Sequence, residues 1–581
     1  MNYPVWDVPA PGLLVAAVAI LHVFVSHFAV GGGLYLVLAE KKARREGDQA
    51  LLAFVRGLSR GFVLLTLVFG ALTGVGIWFT IGLVQPQATS ALVTTFVWVW
   101  AIEWVFFAVE IAAALAYVYG WERLDPRRHV AVGWIYFAAS WASLVAISGI
   151  LSFMLTSGSW PATQRLADAW WNPTCVPMIA FRTGAAVFLA GLYALFAAAF
   201  VSDRETKARV ARWSATRWIA PAAVAIPLAL VWYLAAAGGA GVDVAETRGA
   251  RSAAPGALVS AVFSGGAGGH PIVRAAARAV LVGSAALLVL SLAVGLARSR
   301  RYGRLEAAAL MALGLLCVGA GEWVREGLRK PWLVDRHLFV SGVRVGRAGA
   351  DPLALDSLAS RGVLATARFG HAPDAYRPGD PSFEGLPAEE RAAVEADAGR
   401  ELFRLECAVC HTQRGHLGIR RLVAGRSVPA ITAVLDAAAV PRTAAGGEGS
   451  WSDPGVRVAT WLGRRMPPFA GTAAEKRALA VHLARVGGDA RAGLELPAAA
   501  AGGAAAFAQY CEMCHGPDAG WPIAALVRGR SAPELYDLIG RLPQVREEMP
   551  PFSGTPEERD ALARYLADVG AGASSTEEVP R

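Results

Sequence analysis

The chain has 581 residues, 55% of them hydrophobic and only 17% charged, against about 25% charged in an ordinary soluble protein. That balance excludes a wholly water-soluble protein, and the length is that of several domains. The net charge of +9 is no nucleic-acid signal, because the basic residues of the apolar part stand in short segments between hydrophobic runs, where they mark topology. No nucleic-acid partner is expected.

Apolar runs long enough to span a bilayer, about 20 residues each, fall at 11–39, 61–84, 91–119, 130–154, 176–201, 216–237, 273–297 and 305–326. They predict eight transmembrane helices. The first run is too long for the apolar part of a signal peptide and lacks a basic leader, so no cleavable signal is expected. Gly31-Gly32-Gly33, Gly70, Gly74 and Gly76 suit the close approach of membrane helices. The segments after helices one, three, five and seven carry eighteen lysines and arginines, from Lys41 to Arg304; those after two, four and six carry only Arg165, Arg248 and Arg251. By the positive-inside rule the first set faces the cytoplasm and both termini lie outside.

Ionisable residues at membrane depth are costly and mark function. His22, Glu103, Glu110 and Glu326 qualify, with His27 and Glu322 as weaker cases. Glu103 and Glu110 are seven apart, so two turns bring them to nearly one face, about 10 Å apart along the axis. Two such carboxylates suit haem ligation or a proton path, unless both sit near helix ends and reach water. His27 lies about 140° round the helix from His22 and reads as packing or support. The tryptophans Trp98, Trp100, Trp104, Trp160, Trp170 and Trp171 read as an interface belt.

Residues 333–395 form a proline-bearing linker. Beyond it, Cys407-Ala408-Val409-Cys410-His411 has the spacing for covalent attachment of a c-type haem, with His411 as the proximal iron ligand. The pentapeptide recurs at Cys511-Glu512-Met513-Cys514-His515. Each copy is followed by Met-Pro-Pro-Phe, at Met466 and Met549, which offers the second axial ligand of a His/Met cytochrome c. Residues 396–488 and 500–572 are thus two tandem helical cytochrome c domains with two covalent haems c, joined by an alanine- and glycine-rich spacer from Pro497 to Ala506. Covalent haem c is attached on the outer face of a bacterial membrane, the face to which eight spans deliver the chain. Cys175 and Cys317 do not look like a disulfide framework.

The expected architecture is therefore all-α: a polytopic bundle followed by two small helical domains. Residues 1–332 resemble subunit I of the cytochrome bd oxygen reductases. His22-Val23-Phe24-Val25 leading to Gly31 looks like the first-helix segment with an active-site haem ligand. Glu110 precedes Gly120-Trp121-Glu122-Arg123-Leu124, similar to the family's Gly-Trp-Asp-Arg-Leu. Gly321 to Trp332 resembles the family's signature ending in Gly-Arg-Gln-Pro-Trp, and the resemblance makes Glu326 a haem b ligand with Arg329 beside it. Glu103 falls one residue from the family's second carboxylate, which turns it by about 100°.

The departures are specific. The family's low-spin haem b, which accepts electrons from quinol, uses a helix-five histidine and a helix-seven methionine. Here those regions read Phe181-Arg182-Thr183-Gly184 and Arg278-Ala279-Val280-Leu281-Val282-Gly283. The external loop at 238–272, which binds quinol in the family, is short and glycine-rich. The resemblance with these losses implies a bd-like terminal oxidase of the bacterial inner membrane. A periplasmic donor such as a cytochrome c would feed it through the haems c, in place of quinol. One or two non-covalent haems b or d would sit near His22, Glu103, Glu110, Glu326 and Arg329, and a second membrane subunit could accompany the chain. The competing reading is an electron-transfer subunit without oxygen chemistry. An ordinary quinol oxidase lacks support in the missing ligands, and a gas sensor lacks an output domain.

Overall fold

A computed structural model describes residues 8, 10–242, 262–263, 271–345, 351–366, 371–415, 417–438, 466–490, 492–494, 498–515, 523–546 and 549–571. Most of the glycine-rich loop at 238–272, with Arg248 and Arg251, lies outside them, as does the middle of the first cytochrome c repeat. The chain forms two compact units, Leu13–Val340 and Met1–Gly12 with Ser341–Arg581.

Among the described residues, eight helices are long and apolar enough to cross a membrane: α1 Pro11–Glu46, α2 Gln49–Val84, α3 Val97–Tyr119, α4 Pro126–Phe153, α5 Cys175–Ala198, α6 Arg204–Gly239, α7 Val273–Ala297 and α8 Arg304–Arg329. Several run past the apolar stretches that reveal them. The basic segments around Arg44, Arg56, Arg60, Arg209 and Arg212 are helical extensions rather than loops, because straight-chain residues continue a helix at little cost. On the basic side the turns are tight. Asp48, Asp125 and Asp203 cap the starts of α2, α4 and α6 with their carboxylates, satisfying amide groups that would otherwise be orphaned.

Two large apolar clusters of the bundle meet on α5. One gathers α5 to α8 around Phe188, Leu192, Ile226, Val280, Leu287 and Val324. The other gathers α1 to α4 with α5 around Phe28, Tyr35, Phe62, Tyr117, Tyr136 and Ala194. Three successive glycines of α1 let three different helices approach. A Cβ would stand 1.9 Å from the Ala186 carbonyl of α5 at Gly31, 2.6 Å from the Phe62 ring of α2 at Gly32, and 2.3 Å from the Tyr136 ring of α4 at Gly33. Large apolar side chains such as Phe69, Leu72, Trp98, Trp104, Leu228, Val289 and Leu316 point outward, as a lipid-facing surface requires. After α8 a short antiparallel pair, β1 Trp332–Val334 and β2 Leu338–Phe339, stays with this unit.

In the second unit, α9 (Ala388–Leu402) leads toward the first haem motif, α10 (Val428–Ala438) follows it, and α11 (Ala473–Val486) closes the repeat. The second repeat has α12 (Ala498–Tyr510), α13 (Ala532–Gly540) and α14 (Pro556–Ala571). The stretch from Pro497 to Ala506, expected as a spacer, is largely the start of α12. Its alanines favour helix, and Gly503 serves as a crossing point.

Gly31→Ala is expected to destabilise the protein by about 1–3 kcal/mol, since α1 and α5 must separate. Gly57→Ala, on an open helix face with nothing within 4 Å of the added Cβ, should be neutral or stabilising. Thermal unfolding of the two variants in detergent checks the contrast.

Candidate haem sites

Glu103 and Glu110 stand on one face of α3 and meet α4. Ser143 donates to Glu103 Oε1 at 2.8 Å. The Tyr136 hydroxyl lies 2.9 Å from Glu110 Oε1 and 3.2 Å from the Ala29 carbonyl. Two turns further along α3, Tyr117 donates to Glu40 of α1 at 2.8 Å, and His129 of α4 reaches the same carboxylate from Nδ1 at 2.9 Å. Glu40 and His129 are fully buried, and Arg44 Nε adds a bond to Glu40 at 2.7 Å. The sequence reading missed this group, because Glu40 and His129 border basic segments that look like loops.

A second polar cluster joins α1, α5 and α8. His22 Nδ1 is 3.1 Å from Thr73 Oγ1, whose own proton goes to the Phe69 carbonyl at 2.6 Å. His22 therefore donates from Nδ1, and Nε2 keeps its lone pair for a ligand bond. Its ring also lies against Gly74, 3.1 Å from where a Cβ would be. His27 is buried and bonds the Val23 carbonyl of its own helix at 2.7 Å. Arg182 of α5 is within electrostatic reach of both histidines. It is 5% exposed and pairs with Glu322 at 2.5 Å. Glu322 also binds Arg325 at 3.0 Å, and Glu326 binds Arg325 and Arg329 at 2.6 Å each. The structure thus ties α5 to α8 through Arg182 and Glu322 and sets His22 against Thr73 of α2, while Glu103 and Glu110 form a separate line along the α3–α4 seam.

This cluster has the donor chemistry a non-covalent haem needs. Arg325 Nη1, Arg329 Nε, Trp332 Nε1 and Tyr233 Oη are buried without hydrogen-bond partners among the described residues. Orphaned buried donors are costly, and the carboxylates of a haem propionate pair would satisfy them. The histidine tautomer and this set of donors both fit the group.

The c-type sites are built alike in the two repeats. In the first, His411 Nδ1 donates to the Leu417 carbonyl at 3.2 Å. That bond orients the ring and leaves Nε2 for iron. Burial lowers the His411 pKa below its usual range, so the ring is neutral at pH 7, the form that ligates a metal. Gly399, eight residues before Cys407, crosses α11 at the Ala478 carbonyl; Gly503, eight before Cys511, crosses α14 at the Ala561 carbonyl. Gly471 and Gly554 each pack on the phenylalanine of Met-Pro-Pro-Phe and on a capping glutamate, Glu475 or Glu558. The crossing glycine and the turn after Met-Pro-Pro-Phe are therefore matched in the two repeats. The Cys514 side chain lies outside the described residues. The domains also touch: Glu512, inside the second motif, accepts from the Ser427 amide at 2.9 Å and hydroxyl at 2.8 Å.

An apolar bundle with buried haem-ligand chemistry, joined to two Cys-x-x-Cys-His repeats, defines a membrane-bound haem protein of electron transport. Residues 13–264 match the family described as Cytochrome bd terminal oxidase subunit I. Residues 498–566 match Cytochrome C oxidase, cbb3-type, subunit III. The chain therefore carries a cytochrome bd subunit I domain in its N-terminal region and a cbb3-type cytochrome c domain at its C-terminus. A comparison with curated proteins finds no match. Among solved structures the chain is similar to the bd oxidase from Geobacillus thermodenitrificans, with 16% identity over 59% of this chain and 93% of that one, and a TM-score of 0.46.

Arg182→Leu leaves a buried carboxylate with one partner fewer and should cost about 3–5 kcal/mol. Arg182→Leu combined with Glu322→Gln should recover part of that loss. Thermal denaturation of the two variants reads the difference.

Proposed function

We propose that this chain is the catalytic subunit of a membrane oxidase that accepts electrons singly from a donor on the outer face and reduces oxygen to water. The observation that carries the reading is the exchange of one redox entrance for another. Where the resembling family places a haem-ligating histidine on helix five, Arg182 is locked in a buried ion pair with Glu322. Two cytochrome c repeats with complete motifs lie further along the chain. Neither Arg182 nor the region around Val280 can supply an iron ligand, since a guanidinium has no free lone pair.

Cys407, Cys410, Cys511 and Cys514 would hold two haems c covalently, with His411, Met466, His515 and Met549 as axial ligands. His22 and Glu326 would hold haem b or d in the bundle, where Arg325 and Arg329 receive its carboxylates. When bound, these groups supply one-electron transfer and the binding and reduction of oxygen. The protein's own part is to fix ligand tautomers, exclude water and deliver protons. Thr73 sets the His22 ring, Leu417 sets the His411 ring, and Glu103 and Glu110 carry protons inward from the cytoplasmic face. The basic segments support a cytoplasmic location for that end of the bundle, with the cytochrome c domains outside and a cytochrome c-like protein as donor. A second membrane subunit fits the outward apolar surface.

A second reading, electron transfer without oxygen chemistry, draws on Glu326, both of whose oxygens are engaged by arginines. Carbon monoxide separates the two, because an oxygen-reactive haem binds it when reduced.

The purified protein should consume oxygen with reduced cytochrome c or an artificial one-electron donor, and not with quinol. Rapid quinol oxidation, or no carbon monoxide complex on reduction, defeats the proposal. A pyridine haemochrome spectrum should show two haems c with one or two of type b or d.

A further inference from the structure

The α3–α4 seam contains a repeat of polar side chains that runs past Glu103 and Glu110. Glu103, Glu110 and Tyr117 are seven apart on α3, and His129, Tyr136 and Ser143 are seven apart on α4. Seven residues bring a helix back to within about 20° of the same face. Because the helices are antiparallel, the two series pair as three rungs: Glu103 with Ser143, Glu110 with Tyr136, and Tyr117 with His129. Consecutive rungs are about 10 Å apart, and the last lies at the end that bears the basic segments.

The last rung holds a proton that can move. His129 Nε2 is 2.8 Å from the Tyr117 carbonyl, which can only accept, so Nε2 carries a hydrogen. Nδ1 is 2.9 Å from both oxygens of Glu40. Two bare lone-pair atoms would repel at that distance, so one proton lies between them, on the imidazole or on the carboxyl. Tyr117 and Trp121 flank the ring at 4.3 and 4.4 Å between centroids, and no other titratable side chain among the described residues bonds to it. Glu40 meets Arg44 of its own helix, and Arg44 is partly exposed, which opens the group to solvent.

Between this rung and the next lies a narrow cavity lined by Gly33, Leu36, Phe62, Ala114, Tyr117 and Tyr136, among others. Glycine keeps it open. A Cβ at Gly33 would strike the Tyr136 ring at 2.3 Å, and one at Gly133 would stand 3.1 Å from the Tyr117 ring. Tyr117 and Tyr136 both line it, so water held there would lie between the two side chains. Tyr136, between Glu110 and the Ala29 carbonyl, can give its proton to either neighbour and take another from the cavity side.

We propose that Glu40, His129, Tyr117 and Tyr136 form a proton relay feeding Glu110 from the basic end of the bundle. The relay rests on the oxidase reading for its purpose, though its geometry does not. Each transfer is balanced: a proton entering at the Glu40–His129 pair displaces one through Tyr117 and the cavity to Tyr136, which passes one to Glu110, and both phenols end as they began.

The test uses the full-length protein in liposomes, reduced by a light-triggered donor without oxygen, with a pH-sensitive dye reporting proton uptake. Tyr136→Phe and His129→Asn should keep wild-type haem content yet take up protons more slowly, on the order of a hundredfold for a lost proton-transfer group. Tyr117→Phe gives the same readout if His129→Asn fails to fold. Wild-type uptake rates in Tyr136→Phe and in either second variant overturn the relay, as does a wild-type protein that takes up no proton on reduction. Slowed uptake in a protein that consumes no oxygen upholds the relay and removes the oxidase reading instead.

Discussion

A charge placed inside this bundle must find its counter-charge or its donors within a side chain's length, because no water is at hand to do the work. Each buried ionisable group obeys that constraint in its own way. Glu322 has Arg182 and Arg325, Glu326 has Arg325 and Arg329, and Glu40 has Arg44, His129 and Tyr117. Glu103 and Glu110 have only hydroxyls. The contrast separates two kinds of site. The arginine-rich cluster holds fixed charge and has donors left over, as a place for an anionic group should. The hydroxyl-lined seam can change its proton count without stranding a charge.

Packing sets which groups can meet. The three glycines of α1 admit the α5 backbone, a ring of α2 and a ring of α4 at consecutive positions, so one helix packs closely on all three. Gly32 and Gly33 place the Phe62 and Tyr136 rings, and the hydroxyl of Tyr136 then falls on Glu110. A larger residue at any of the three would alter the polar geometry from the apolar side. Close packing is here a requirement of the chemistry as well as of stability.

Much of this was legible in the sequence, for physical reasons that can be named. Hydropathy exposes eight spans because lipid leaves a helix no other option, and Cys-x-x-Cys-His points to a cytochrome c repeat because its spacing is stereochemically fixed. The starts of α2 and α6 were hidden, since charged residues in helical extensions resemble loop residues by composition. Glu40 and His129 were hidden for the same reason. They lie 89 positions apart, and only the fold makes them a pair. The spacing of Tyr117 and Tyr136 was visible, yet tyrosines in a span read as packing until a partner is seen. The region of helix five around Arg182 could be seen to lack a histidine, but the bond from Arg182 to Glu322 across 140 residues could not.

The two cytochrome c repeats show how a duplicated unit becomes asymmetric. Their internal geometry is matched, from the glycine that lets the helices cross to the capped helix after Met-Pro-Pro-Phe. The difference lies between the cysteines, where the first copy has Ala408 and the second has Glu512. That carboxylate is 5% exposed and grips Ser427 at the start of α10, where the amide end of the helix favours a negative charge. The second motif is thus fastened through its own loop to the first domain, while the first has no such group to offer in return. The two repeats are therefore matched within their own helices and unlike where they meet, because only the second motif carries a carboxylate that an amide end of its neighbour can hold.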